Sequence, residues 1–405
     1  MSAVSVSTFP LFRLLVLTGA IFVSVSSEFL PTGLLPDMAR DLDVSESKVG
    51  LLVTIFAGTV VVSTAPLTII TQRLSRKWLM VLLLAVFALG NVLAALAPTY
   101  ELLVVARVIG GLAHGLFWAV TGPYAAHLVP RHQLARAVAV TNSGGTIAFV
   151  LGVPLGTALG HALGWRLAFL VMGAVVVVFM LLVIAFLPPV QHLHQPATGE
   201  ITLPGRKDPT VPAVIIVCVS VLFIMTGQNV FYTYIAPWLI REGGFPEDAV
   251  SGLLFVYGAA GAVGLVLAGA LGDRYPRATA YGLIAGVTVA VATLSLGAGS
   301  PGVVIAGLVA WSIAFGGLPS LFHARMLHSA SPRIRDVASA WITTSFNIAI
   351  GGGAILGGSL LDAAGIDVLP WTLIGLVAAG LLFVALSDGA RLRAQYHHVR
   401  RDGSA

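Results

Sequence analysis

Of the seventeen acidic residues in this chain, sixteen fall between long apolar segments or at their ends; Glu28 alone lies well inside one. An ionised side chain at membrane depth costs about 2.5–3.5 kcal/mol on insertion scales, so it rarely persists there without a use. Eight residues after Glu28 comes Pro36, at the outer end of the same segment. Arg107 sits six residues into another segment, counted from the same side, which places the two at similar depth. An opposite charge favours the carboxylate and desolvation favours the acid, and a group held between those pulls can be toggled by protonation. Glu28 is therefore a candidate proton carrier and Arg107 the group that responds to its charge. The alternative is a structural ion pair between two helices. His114 is seven residues after Arg107 and shares its helix face, and an imidazole suits proton relay. A lone histidine in an apolar helix is as often a hydrogen-bond partner. Trp118, one further turn along, lies on that face too.

Those residues are carried by segments that water could not solvate. Hydrophobic residues make up 57% of the 405 positions and charged residues 10%, with a mean hydropathy of +0.96; soluble domains carry about 25% charged residues. A spanning helix needs about 20 predominantly apolar residues. Twelve stretches qualify, at 12–36, 47–71, 78–97, 101–128, 134–160, 166–187, 211–240, 247–272, 278–298, 301–328, 334–361 and 369–388. The expected fold is an all-α integral membrane protein of twelve transmembrane helices in two six-helix pseudo-symmetric bundles, 1–187 and 211–405. A Pro-rich linker over 188–210 joins them. The first stretch is too long for a signal-peptide core of about 7–15 residues. The net charge of +5 is strung between apolar segments rather than gathered in a patch, so it does not suggest nucleic acid. Seventeen of the 22 Lys and Arg residues lie on the face that also holds both termini and the linker, which the positive-inside bias makes cytoplasmic. One cysteine, Cys218, allows no disulfide framework. His192, His194, His397 and His398 are expected to be solvated, and neither metal nor cofactor is expected.

A shift of 201 residues brings the halves into register. Pro36 meets Pro237, Arg40 meets Arg241, Arg73 and Arg76 meet Arg274 and Arg277, Gly115 meets Gly316, and Gly156 meets Gly357. Parallel repeats of this kind build secondary transporters, with the substrate path at the repeat interface. In this register Glu28, Arg107 and His114 correspond to Asn229, Leu308 and Phe315, so the ionisable groups belong to the first half. The seventh span instead offers Gln228, Asn229, Tyr232, Thr233 and Tyr234. Amides and phenols suit hydroxylated or aromatic neutral molecules; their other reading is helix-to-helix hydrogen bonding. Trp118 and Asn142 are secondary substrate-binding candidates. Small residues four apart, Gly152/Gly156/Gly160 and Gly353/Gly357, allow close helix approach, and Pro154 bends its helix.

Three motifs, spread over nearly the whole chain, resemble the major facilitator superfamily. Gly269-Ala-Leu-Gly-Asp273-Arg274-Tyr-Pro-Arg277 looks like the family's loop signature, whose Asp takes hydrogen bonds from a neighbouring helix N-terminus and latches one transport state. The first-half copy keeps Arg73 and Arg76 but has Gln72 in place of the Asp, which weakens the latch expected there. Arg107-Val-Ile-Gly110 with Gly115 fits the fourth-span pattern. Gly144-Gly145 followed by Gly152-Val-Pro154-Leu-Gly156 resembles the fifth-span motif of proton antiporters that export substrate. Ser27-Glu28-Phe29, Val49-Gly50-Leu51-Leu52 and His114-Gly-Leu-Phe117-Trp118 are most similar to the drug/proton antiporter group, and within it to bacterial sugar efflux transporters of the arabinose and isopropyl-thiogalactoside type. Chloramphenicol exporters share the first of these strings.

The resemblance implies a monomer in a bacterial inner membrane that exchanges protons for small neutral or amphipathic molecules by alternating access, with the first and fourth helices of each half lining the cavity. A drug or antibiotic exporter is the nearest alternative. A proton-coupled importer runs against the fifth-span motif. A membrane enzyme would need clustered catalytic residues at one face, and the chain offers a single buried acid and a single mid-span histidine. No phosphate-binding loop string occurs, so no nucleotide drive is expected.

Overall fold

The computed structural model describes residues 9–130, 133–189, 208–331 and 333–402. Most of the linker read at 188–210, with His192 and His194, lies outside them. The chain is helical: α1 (Leu11–Gly33), α2 (Leu35–Asp41), α3 (Glu46–Ile70), α4 (Arg76–Ala95), α5 (Tyr100–Leu128), α6 (Leu134–Ile147), a π-helical turn (Ala148–Gly152), α7 (Val153–Leu163) and α8 (Trp165–Phe186). Then follow α9 (Val211–Tyr232), α10 (Ile235–Arg241), α11 (Ala249–Arg274), α12 (Pro276–Leu296), α13 (Pro301–Gly316), α14 (Leu318–Ser329), α15 (Arg335–Ala364) and α16 (Val368–Asp402). Among the described residues twelve segments are long and apolar enough to cross a membrane, as the hydropathy pattern implies.

Two spans end earlier than the apolar stretches suggest. The first stops at Gly33 and the seventh at Tyr232, and each is followed by a separate seven-residue helix. The cause is at the equivalent positions Pro36 and Pro237: a proline lacks the N–H that a continuing helix needs and fits only a first turn. The repeat is legible in the backbone beyond the helices. Past α2, Asp43 takes a positive φ of 51°, and 201 residues later Gly244 takes 68°. Gly164, ending α7, has φ 91°, and its counterpart Gly365, ending α15, has φ 96°. Side chains rarely adopt such a conformation, so the glycines are the ordinary solution.

By contacts the chain forms two compact units: Met1–Val44 with Gly58–Gln195, and Ser45–Ala57 with Pro196–Ala405. The first turns of α3 thus belong to the second unit, where Ser47 donates to Asp362 at 2.6 Å and Thr54 to the Gly351 carbonyl at 2.8 Å. In the first unit α1 is buried from Val16 onward, apart from the half-buried Phe22, and packs on α6, the π turn, α7 and α8. In the second, α9 holds the matching place against α15 and α16.

Candidate functional site

Local chain chemistry explains how Arg107 meets α1. Pro31 has no N–H, so the carbonyl four residues earlier, that of Ser27, has no helical donor. A buried carbonyl needs another partner. Arg107 supplies it: Nη1 donates to Ser27 O at 2.8 Å and Nη2 to Glu28 O at 2.7 Å. The two terminal guanidinium nitrogens thus serve the main chain of α1, where the sequence suggested an answer to the Glu28 carboxylate alone. Asn91 of α4 secures the same turn, its Nδ2 donating to Ser27 Oγ at 3.1 Å and to Phe87 O at 2.8 Å.

The carboxylate itself faces His114, with Oε2 3.4 Å from Nε2. Both residues are only 4% exposed, as is Arg107. His114 has two further partners, Ser24 Oγ at 2.9 Å on Nδ1 and the Trp118 indole Nε1, which donates to Nε2 at 2.8 Å. Phe87 sets its ring edge-on to the imidazole, 6.1 Å between centroids. The structure therefore brings together four residues that the sequence singled out, Glu28, Arg107, His114 and Trp118. Around them are Ser24, Pro31 and Asn91, which it did not. Pro31 carried a usable signal, since a mid-span proline always orphans a carbonyl. Ser24 and Asn91 carried none, because serine and asparagine in a helix have many local partners.

What holds α1 close enough is the small-residue face of the fifth span. A Cβ on Gly144 would collide with the Thr18 carbonyl, one on Gly152 with the Ser26 hydroxyl, one on Gly156 with Leu30 and one on Gly160 with Leu34. The contacts climb both helices together, so this face is a track along α1. Pro154 leaves the Val150 carbonyl without its helical donor, and the π turn lies at that place. Gly353 and Gly357 repeat the arrangement in the second unit against Asn229 and Val230 of the seventh span and Tyr234 just beyond it.

The polar run of α9 is buried and largely hydrogen-bonded. Trp311 donates its indole N–H to Gln228 Oε1 at 2.9 Å, and Gln228 Nε2 donates to Tyr257 Oη at 2.8 Å. An indole can only donate, which settles the orientation of the amide. Tyr232 adds its ring to that of Tyr257, 5.0 Å between centroids. Asn229 Nδ2 turns back to Met225 O at 2.8 Å. Tyr234 donates to Ala354 O at 2.8 Å with its ring against Gly357, a packing position. Thr233 is buried, whereas Asn142 is exposed on α6. Trp311 and Tyr257, from other helices of the half, were not legible as partners in the sequence.

The loop motifs lie elsewhere. Asp273 and Arg277 line a cavity of about 560 Å³ with Arg325, His328 and Asp388. There Arg325 pairs with Asp388 at 2.6 Å and Tyr281 donates to Asp388 at 3.1 Å. Among the described residues no hydrogen bond or ion pair to Asp273 occurs. Arg274 lies over the Tyr275 ring at 5.4 Å. In the first-half copy Gln72 and Arg73 are exposed in a turn and Arg76 opens α4. The neighbouring Lys77 donates to Ile184 O at 2.8 Å near the end of α8, where a cation suits the helix dipole. Among the described residues no cluster of three His, Cys, Asp or Glu could hold a metal.

Comparison with known proteins agrees with this architecture. The family model of the Major Facilitator Superfamily matches residues 17–235 and 217–392. A protein of Mannheimia succiniciproducens named "Probable sugar efflux transporter" is 28% identical over 355 residues, 88% of each chain. Among solved structures, a mutant of the nucleoside transporter NupG superposes with a TM-score of 0.72 at 15% identity, covering 93% of this chain and 99% of that one. A bacterial homologue of the human lysosomal transporter Spinster, in an inward-facing and occupied conformation, gives 0.69 at 16% identity over 95% and 96%.

Proposed function

We infer that this chain, which belongs to the Major Facilitator Superfamily, is a proton-coupled exporter of small neutral molecules, with sugars and their glycosides the leading substrate class. One observation carries the reading: a carboxylate buried in the middle of α1, Glu28, stands against a buried imidazole and beside a buried guanidinium. Ionising a carboxyl so placed carries a cost that protonation removes. Similarity to the sugar efflux protein supports the substrate class. The Gly152-Val-Pro154-Leu-Gly156 string supports export over import by its resemblance to the antiporter motif. A drug exporter of the chloramphenicol kind is the second reading, favoured by the aromatic cage of Tyr232, Tyr257 and Trp311.

In this scheme Glu28 takes a proton from the outer side and releases it to the cytoplasm as the substrate moves the other way, with the first-half helices rocking along their glycine track. Arg107 keeps the α1 turn before Pro31 in place. Trp118, Asn142, Gln228, Asn229 and Tyr232 are the substrate-contact candidates, while Asp273, Arg274 and Arg277 form the conformational latch. The protein works as a monomer in a bacterial inner membrane with both termini cytoplasmic. One proton moving through 100 mV supplies about 2.3 kcal/mol, which sustains roughly a fifty-fold gradient.

The test uses everted vesicles containing the full chain. Acidifying their interior should drive radiolabelled isopropyl-thiogalactoside inward, and Glu28→Gln should leave only downhill movement. Uphill accumulation by that variant would end the proton-carrier reading.

A further inference from the structure

The contact between Trp118 and His114 dictates which ring nitrogen holds the proton. An indole N–H has no lone pair to offer, so Nε2 of His114 is the acceptor. The ring proton then sits on Nδ1 and is donated to Ser24 Oγ at 2.9 Å. A neutral imidazole has one acceptor nitrogen with one in-plane lone pair, and here the indole occupies it at 2.8 Å. Glu28 Oε2 stands 3.4 Å from that same nitrogen. With the indole in place, no proton can pass between the carboxyl and the ring. Exposure within the cluster is uneven: Glu28, Arg107 and His114 are each 4% exposed, whereas Trp118 is 37% exposed. A molecule arriving from outside the bundle meets the indole first.

We propose that Trp118 is the switch through which a bound ligand controls the proton, and that the ligand class it reads is a neutral molecule bearing a hydroxyl or carbonyl oxygen. Such an oxygen accepts the indole N–H in place of His114, and the lone pair on Nε2 is freed. The Glu28 carboxylic acid then gives up its proton: its O–H bond breaks, an N–H bond forms at Nε2, and a carboxylate–imidazolium pair results with no change in net charge. The charged groups facing the ring are Glu28 from α1 and Arg107 from its own helix α5, while α4 presents the Phe87 ring. The guanidinium opposes a lasting imidazolium, so the N–H bond at Nδ1 breaks and that proton leaves through the Ser24 hydroxyl to solvent, with the ring left neutral and protonated on Nε2. When the ligand departs, return of the ring proton to Nδ1 frees the Nε2 lone pair, and the indole occupies it again and closes the path. The proposal rests on Glu28 as proton carrier and adds the element that makes its titration depend on substrate.

The test reads proton movement directly. Purified full-length protein in weakly buffered detergent solution with a pH-indicator dye is mixed with saturating isopropyl-thiogalactoside, and in parallel with chloramphenicol. Wild type should show a probe-evoked proton change with at least one of them. Trp118→Phe, which keeps a ring but has no N–H donor, should lose at least nine-tenths of it, and its pH profile of probe binding should flatten. An unchanged proton signal in Trp118→Phe, alongside its loss in Glu28→Gln, overturns the switch and leaves the carrier standing. A signal that survives Glu28→Gln, or a wild type silent to both probes, overturns the carrier and the switch with it. Should Trp118→Phe fail to fold, the unaltered chain labelled with ¹⁵N-histidine and assigned with His114→Gln gives an independent answer. The Nε2 resonance of His114 should move toward the protonated position when the probe binds, and a stationary resonance would overturn the proposal.

Discussion

At the scale of single residues, the pairing of a proline with an arginine organises the first-half cluster. Pro31 orphans the Ser27 carbonyl, and Arg107 supplies a charged donor to it and to the next carbonyl. Hydrogen bonds to charged groups contribute about 1.5–3 kcal/mol each. Lysine places a single nitrogen where the guanidinium places two. We therefore expect Arg107→Lys to lower stability by roughly that amount through the loss of one bond, measured by thermal unfolding in detergent. Pro31→Ala should act differently: it restores a main-chain N–H that competes with Arg107 for Ser27 O. Its expected signature is near-native stability with impaired probe efflux, since the guanidinium no longer has a fixed seat beside Glu28. Native efflux in that variant would show that the seat does not matter for transport.

At the scale of elements, the approach of the fifth span to α1 is set by what lies opposite each glycine. Gly144 faces a main-chain oxygen, which cannot swing away, whereas Gly156 faces the end of the flexible Leu30 side chain. Overpacking typically costs about 1–3 kcal/mol. Gly144→Ala should fall at the upper end of that range and Gly156→Ala at or below the lower, ranked by their melting temperatures; the reverse order would refute the track. A second element-level tie joins α2 to α7, where Asp37 meets His161 at 3.2 Å and also Arg40. Burial pushes the Asp37 carboxyl up, but hydrogen bonds from His161 and Arg40 outweigh it and hold the group below its ordinary value. A carboxylate lowered on folding contributes stability above its unfolded pKa of about 3.9 and loses it as pH falls through the folded value. The melting-temperature gap between wild type and Asp37→Asn should accordingly hold from pH 7 to about 5 and close toward pH 3.

At the scale of the molecule, duplication gives two halves with one helical plan and unequal chemistry. The conformations at Asp43 and Gly244, and at Gly164 and Gly365, survive in both copies. Glu28 and Arg107, by contrast, have become Asn229 and Leu308. Topology is testable at this scale: a fluorescent protein fused after Ala405 should fluoresce, and alkaline phosphatase at the same position should stay inactive. The opposite pair of results would invert the membrane orientation. Cys218 is the sole cysteine, so Cys218→Ser provides a thiol-free background for site-directed labelling of the exposed Asn142.

Length, hydropathy and the positions of arginine and proline are one-dimensional properties, and they sufficed to specify helical spans, their number, the repeat and the acid buried in mid-span, Glu28, though not the burial of Asp388 at the end of the last span. A helix follows from local hydrogen bonding, and membrane depth from distance along the chain. Partners across helices do not. That Arg107 would serve two carbonyls, that Trp118 would occupy the acceptor nitrogen of His114, and that Gln228 would lie between Trp311 and Tyr257 depended on helix rotation and approach. Those are set by how glycine faces pack in three dimensions, because a few degrees of rotation about a helix axis exchange one neighbour for another.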